Sequence, residues 1–156
     1  MGILTEEMAE IVAGAKLSFV ATVNADGSPN LSPKASLAVY DDNHLVFANI
    51  ASPGTVANLR RDPAVEVNVV DVFLRRGFRF KGTAELHDSG PAFDFVALPL
   101  WEKQGKQYPV HEAVVIRVVE ASALLSPAYL FNEDIDETAL RGAWLGEYGV
   151  EDLSAR

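Results

Sequence analysis

The chain has 156 residues and a formal net charge of −9, a balance that repels phosphate polymers and excludes nucleic acid as an expected partner. It contains no cysteine, which removes disulfides, thiol catalysis and cysteine-held metals. A hydrophobic fraction of 49% with 22% charged residues is that of a single globular domain, 1–156, able to bury its own core.

Thr5 to Ala15 reads as an amphipathic helix, with Thr5 as cap, Glu6 and Glu7 in the first turn, and Met8, Ile11, Val12 and Ala15 as its apolar stripe. Leu17 to Asn24 is a strand, followed by the turn Ala25-Asp26-Gly27-Ser28. Asn30 to Tyr40 is a second strand and Leu45 to Ile50 a third, expected to form an antiparallel meander. Pro53 to Arg61 is a short helix. Ala64 to Val70 alternates with the strand period, and so does Phe78 to His87, where Phe78, Phe80, Gly82, Ala84 and Leu86 share one face. Pro91 opens a helix through about Lys103, with a kink expected near Pro99. Glu112 to Leu125 is a long apolar strand, Asp136 to Tyr148 a terminal helix, and the last residues are expected to fray. Six strands with short helices between them predict a mainly β fold, a small antiparallel barrel with peripheral helices.

No apolar run reaches membrane-spanning length and Met1 to Glu7 lacks a basic signal-peptide start, so the expectation is a soluble, cytoplasmic protein without a membrane partner. Glu6 stands where a myristoylation motif needs Ser or Thr.

The chemistry concentrates between Ser32 and Leu59. Pro33 interrupts a strand, which marks either a plain protected edge or a place where something other than a strand approaches. The small neighbours Ala35 and Ser36 leave backbone N–H groups open to a flat ligand. Ser52 and Pro53 suit an N-cap and a first helical position. Capping explains both of them, but not Gly54, a poor helix residue that admits a ligand close to the backbone. Thr55 adds a hydroxyl in the first turn and Asn58 projects from the same face one turn later. A helix opening of this kind is a ready phosphate site. Lys34, Arg60, Arg61, Arg75, Arg76, Arg79 and Lys81 are more than half of the 13 lysines and arginines, and their grouping on an acidic chain suits one small anionic ligand. Arg79 and Lys81 share one face of their strand, with Arg75 and Arg76 just before them, and these four also read as a solvated basic face, Arg75 and Arg76 above all. His44, His87 and His111 have no paired spacing, so no metal site is expected. No hydrolase elbow, Walker loop or dinucleotide fingerprint is present, so no catalytic side chain is nominated and any reactive group would come with a cofactor.

The segments Phe19 to Pro29, Leu45 to Asn49, Asn58 to Val65 and Phe80 to Leu86, in this order and spacing, resemble the pyridoxamine 5′-phosphate oxidase-like family of FMN-binding split barrels, over roughly residues 8–126. The short bacterial FMN-binding flavoproteins of that superfamily are similar in length and layout. The resemblance implies a six-stranded antiparallel split β-barrel, a homodimer, and FMN in a groove at the subunit interface, with 127–156 as a helical tail. It implies that Ser32, Pro33, Lys34, Ala35 and Ser36 line the flavin ring and ribityl chain, where backbone amides near residues 34–36 would stabilise the reduced ring. Ala48, Asn49 and Ile50 would follow from the next strand. Ser52, Gly54, Thr55 and Asn58 would form the phosphate corner, joined by Lys81. Gly54 and Thr55 replace the basic residues of the true oxidases, Leu37 replaces their basic substrate contact, and their remaining substrate residues find no match. FMN binding therefore carries over and vitamin B6 oxidation does not. The same resemblance leaves open an F420-dependent reductase, a flavin carrier without turnover, and a barrel without cofactor; haem, bound by some relatives, gains little support from these histidines.

Overall fold

The structure is a computed structural model that describes residues 2–150. In chain order its elements are α1 (Glu6–Ala15), β1 (Ser18–Val23), β2 (Pro29–Lys34), β3 (Ala38–Asp41), β4 (His44–Asn49), α2 (Pro53–Arg61), β5 (Ala64–Asp71), β6 (Arg76–His87), α3 (Pro91–Gln104), β7 (Glu112–Leu125), α4 (Pro127–Phe131) and α5 (Glu137–Glu147). The strands form one antiparallel sheet in the order β2-β1-β5-β6-β7-β4-β3.

Seven strands stand where six were expected, because the second one breaks. β2 pairs only with β1, and β3 only with β4. The expected three-strand meander is therefore divided between opposite edges of the sheet. Only Ala35, Ser36 and Leu37 separate the two edges along the chain. Laid flat, seven strands at about 4.8 Å spacing would hold their edges about 29 Å apart, whereas four Cα steps reach about 14 Å at most. The sheet must roll until its edges nearly meet, and the result is a split barrel. Ser36 clips the seam by accepting a hydrogen bond from the Ala48 N–H at 3.0 Å through Oγ. That side chain does what a backbone carbonyl would do had the β3–β4 ladder continued two residue pairs further.

Rolling also needs bent strands. Between Lys81 and Gly82 the β6–β7 register shifts, pairing Lys81 with Glu120 but Gly82 with Val118. This bulge curves the two longest strands. A Cβ on Gly82 would run into the Arg117 carbonyl, so the close approach requires glycine there.

Val20, Leu45, Phe47, Val67, Val69, Phe80, Val114 and Ile116 fill the barrel, each 0–1% exposed. The α1 stripe closes it: Val12 is buried, Met8, Ile11 and Ala15 pack on the core, and Thr5 Oγ1 accepts from the Met8 N–H. β4 is buried on both faces, since Val46 and Ala48 turn outward onto Ala92, Val96 and Ala97 of α3. That second small core is what seats α3 beside the seam. Pro99 lies within α3 and the helix continues through it. Among the described residues no helix is long and apolar enough to cross a membrane.

The basic grouping expected from the sequence is dispersed in space. Arg75 stacks 4.0 Å from the Trp144 ring, and Arg76 pairs with Glu7 and with Glu137 at 3.0 Å. Tyr129 donates to the Leu74 carbonyl at 2.7 Å. The β5–β6 turn thus anchors the acidic C-terminal helices rather than a ligand. Glu151 and Asp152 lie outside the described residues.

Because Phe80 is fully enclosed, Phe80→Ala should lower unfolding free energy by about 3–5 kcal/mol. Val119→Ala at the exposed bulge should change it by less than about 0.5 kcal/mol. Urea denaturation of both variants checks the contrast.

Candidate functional site

A cleft of about 860 Å³ opens along the barrel seam. Its floor is Pro33, Lys34, Ala35 and Ser36 with Ala38, Ala48 and Ile50, and one end reaches Ser52 at the mouth of α2. The opposite wall is α3, through Asp94, Phe95, Leu98, Pro99 and Lys103, with Tyr108 beyond it. Four alanines, Ala35, Ala38, Ala48 and Ala51, line it, so nothing bulky rises from the floor and a flat guest can lie there. Volume and apolar lining are those of a small-molecule site.

Hydrogen-bonding capacity is left over on the floor. Among the described residues, no hydrogen bond of the chain itself takes the N–H of Ala35, Ser36 or Leu37. On the far wall Pro99 has no N–H for the Phe95 carbonyl one turn back, and both residues face the cleft.

Lys34 is 6% exposed and is the only charged side chain buried among the described residues. Its Nζ donates to Ser32 Oγ at 2.5 Å and Ser52 Oγ at 2.8 Å, with the Pro33 carbonyl at 3.3 Å and the Phe47 ring centroid at 5.6 Å. No carboxylate pairs with it among the described residues. Burial without a counter-charge holds its pKa below the ordinary 10.5.

Ser52 occupies the N-cap position of α2, yet its side chain makes no capping bond and accepts from Lys34 instead. Its own N–H donates to Asn49 Oδ1 at 3.2 Å, and Asn49 Nδ2 donates to Glu112 Oε2 at 2.6 Å. Glu112 also receives Arg60 at 2.5 Å. A continuous polar chain therefore runs from Arg60 through Glu112, Asn49 and Ser52 to Lys34.

Of the residues singled out in the sequence, Pro33, Lys34, Ala35, Ser36, Ala48, Ile50 and Ser52 come together as cleft lining. Ser32 supports Lys34 from beside it, and Asn49 supports Ser52 from behind. Gly54 is exposed in the first turn of α2 with open space around it, while Thr55 is buried at 2%. Asn58 is turned inward: its Nδ2 donates to Thr22 Oγ1 at 3.0 Å and Asn24 Oδ1 at 2.9 Å, and Arg61 donates to its Oδ1 at 3.2 Å. Lys81 pairs with Glu120 at 3.7 Å and lines a shallower hollow of about 440 Å³ with Ala21, Val23 and Val119, away from the cleft. The α3 wall and Glu112 were not read from the sequence. Their signal was faint: α3 is apolar on most sides, so no stripe picks out the cleft face, and Glu112 lies 63 residues from Asn49.

The pyridoxamine 5′-phosphate oxidase family model matches residues 4–126. No curated protein matches the sequence. Among solved structures, HupZ of Group A Streptococcus is 28% identical, with a TM-score of 0.72 over 80% of this chain and 96% of that one. An FMN-binding protein of Syntrophomonas wolfei shares the fold at 18% identity, with a TM-score of 0.67 over 76% of this chain and 84% of that one. An F420 reductase shares it at 22% identity, with a TM-score of 0.59 over 76% and 98%.

A buried ammonium without a counter-charge weakens the ligand-free fold. Lys34→Met should therefore leave that form as stable or up to about 2 kcal/mol more stable at neutral pH. The folded-state pKa lies below the unfolded one, so the unfolded chain binds more protons in the interval between them. Wild-type stability should then rise with pH as 10.5 is approached, closing the gap to the variant. Urea denaturation across pH measures both effects.

Proposed function

The chain belongs to the pyridoxamine 5′-phosphate oxidase family, and from that premise we propose that it is an FMN-binding flavoprotein, an oxidoreductase acting on a small molecule or electron partner. The observation that carries this reading is the seam cleft, whose floor of small residues includes free backbone N–H groups and a buried cation. These features fit the group: donors for the polar edge of a ring, alanines beneath its plane, and positive potential at one end for a phosphate.

When bound, FMN supplies the two-electron redox chemistry. The chain's part is to hold it. The N–H groups of Ala35 and Ser36 are fixed by the seam, because Ser36 is tied to Ala48, and pre-aimed donors favour negative charge on a reduced ring. Phe95, Leu98 and Tyr108, 42, 57 and 44% exposed, offer apolar cover that keeps water from the ring's other side. Oxidation of pyridoxamine phosphate is not part of this reading, since Leu37 packs on the barrel core where a basic substrate contact would be needed.

A second copy of this chain is the partner we propose for the outer face of β1 and β2. Phe19, Val23 and Leu31 are 43, 39 and 65% exposed there, a grouping of apolar side chains that a dimer would cover.

Titration of ligand-free protein with FMN should quench flavin fluorescence at one equivalent per chain. Failure of both FMN and F420 to bind would remove the cofactor reading, and binding of F420 alone would move the activity to the deazaflavin class. Reduction of the bound flavin by NADH or NADPH in stopped flow separates a reductase from a passive carrier.

A second test uses Gly54, whose position accepts a side chain. Glutamate suits a helix start, so Gly54→Glu should stabilise the fold by about 0.5–1 kcal/mol. It should also weaken FMN about tenfold by setting like charge at the phosphate end. Unchanged affinity would place the phosphate elsewhere.

A further inference from the structure

β7 has a strand on both sides only along its first half. β4 accompanies it from Glu112 to Arg117, and the Val118 N–H then donates to the Asn43 carbonyl at 2.9 Å. Beyond the bulge only β6 remains, pairing Lys81 with Glu120 and Arg76 with Leu125. The Ser126 N–H donates to the Arg75 carbonyl at 3.0 Å, which fixes the phase of that ladder. Counting back by two, Leu124, Ser122 and Glu120 turn their backbone groups to β6, while Ala121, Ala123 and Leu125 turn theirs away. Among the described residues, no hydrogen bond of the chain itself takes the N–H of those three.

A free strand edge is a template for another strand unless charge, proline or a covering element blunts it. Residues 121–125 read Ala-Ser-Ala-Leu-Leu, without charge or proline, and Ser122, Ala123 and Leu125 are exposed. Their small side chains at 121–123 let a second backbone approach to about 4.8 Å. The edge is also complementary to itself. An antiparallel copy related by a two-fold axis at Ser122 sets Ala121 opposite Ala123, Glu120 opposite Leu124 and Val119 opposite Leu125. About four backbone hydrogen bonds then form between the alanines, and the two Glu120 carboxylates lie about 14 Å apart, beyond the screening length at ordinary salt. The apolar ends match as well. Leu130 and Phe131 of α4, 65 and 86% exposed, follow Leu125 at one end, and exposed Val119 stands at the other. The two-fold brings each end of one copy to the opposite end of its mate. α4 lies outside the residues matched by the family model.

We propose that residues 119–125 of β7 form an assembly edge, at which a second copy of this chain adds antiparallel about a two-fold axis through Ser122 and continues the sheet across both copies. This interface is separate from the outer face of β1 and β2, and none of its residues lines the seam cleft. It stands independently of the flavin reading.

The chain has no cysteine, so one introduced thiol reports the geometry. Opposed residues of a non-hydrogen-bonded antiparallel pair have Cα atoms about 4.5 Å apart, within disulfide reach. On mild oxidation at micromolar concentration, Ser122→Cys should form a covalent dimer on non-reducing electrophoresis. Its yield should exceed by at least about tenfold that of Glu120→Cys, too far from its mate to bridge, and that of Gly142→Cys, exposed on α5 with open space around it. Adding Ala123→Pro to Ser122→Cys removes an edge donor that β6 does not use, and should cut the yield at least about fivefold. Thermal melts check that the double variant is folded, and the three-cysteine comparison decides the matter if it is not. Equal yields at residues 120, 122 and 142 would overturn the proposal. So would protection of the Ala123 amide from hydrogen exchange that is independent of protein concentration, which would assign the edge to a segment of the same chain. The cross-link reads this edge whether or not a copy also covers the outer face of β1 and β2.

Discussion

Three residues hold the two edges of a seven-stranded sheet together, and most of what is distinctive in the molecule follows from that tether. Ala35, Ser36 and Leu37 cannot span a flat sheet of this width, so the sheet rolls, and the bulge at Gly82 lets its longest strands comply. The same three residues lie between strands and so keep backbone N–H groups that no ladder consumes. Closing the barrel and leaving donors at its seam are one structural event. The apolar filling of Phe47, Phe80 and Ile116 supplies the stability against which those free donors can be tolerated.

The seam also explains how a lysine comes to be buried. As the last residue of β2, Lys34 is carried beneath the mouth of α2, where it meets serines rather than carboxylates. Glu112 is near enough to act on the same network, but its two oxygens are occupied by Asn49 and Arg60. Two neutral residues, Asn49 and Ser52, therefore stand between that carboxylate and the ammonium. A cation kept in that state is costly to the ligand-free fold, a cost that the proposed anionic guest would offset.

Much of the fold was legible in the sequence, because strand alternation and capping act locally. β7 and α2 have the predicted bounds, and α1 carries the predicted cap and stripe. The break at residues 35–37 was hidden, because Ser36 is the one turn residue between Pro33 and Tyr40, without Gly, Asn or Asp beside it, and the seam is a property of the whole sheet. Pro33 was informative: it sits in an edge strand, where a missing N–H does no harm. The basic grouping misled, since neighbours in sequence such as Arg75 and Lys81 belong to different faces, one against Trp144 and the other against Glu120. Asn58 looked available from helix periodicity, yet it is spent tying α2 to β1 and the turn after it. The α3 wall was invisible because its cleft face is no more apolar than its buried one.

The central claim is that a flat anionic cofactor lies along the barrel seam with its charged end at the opening of α2. Backbone amide chemical-shift mapping by NMR during an FMN titration tests it most directly. Occupancy of the seam predicts the largest shifts at Ala35, Ser36, Ile50, Gly54 and Thr55. Shifts confined to the hollow around Ala21, Lys81 and Val119, with the seam amides unmoved, would contradict it.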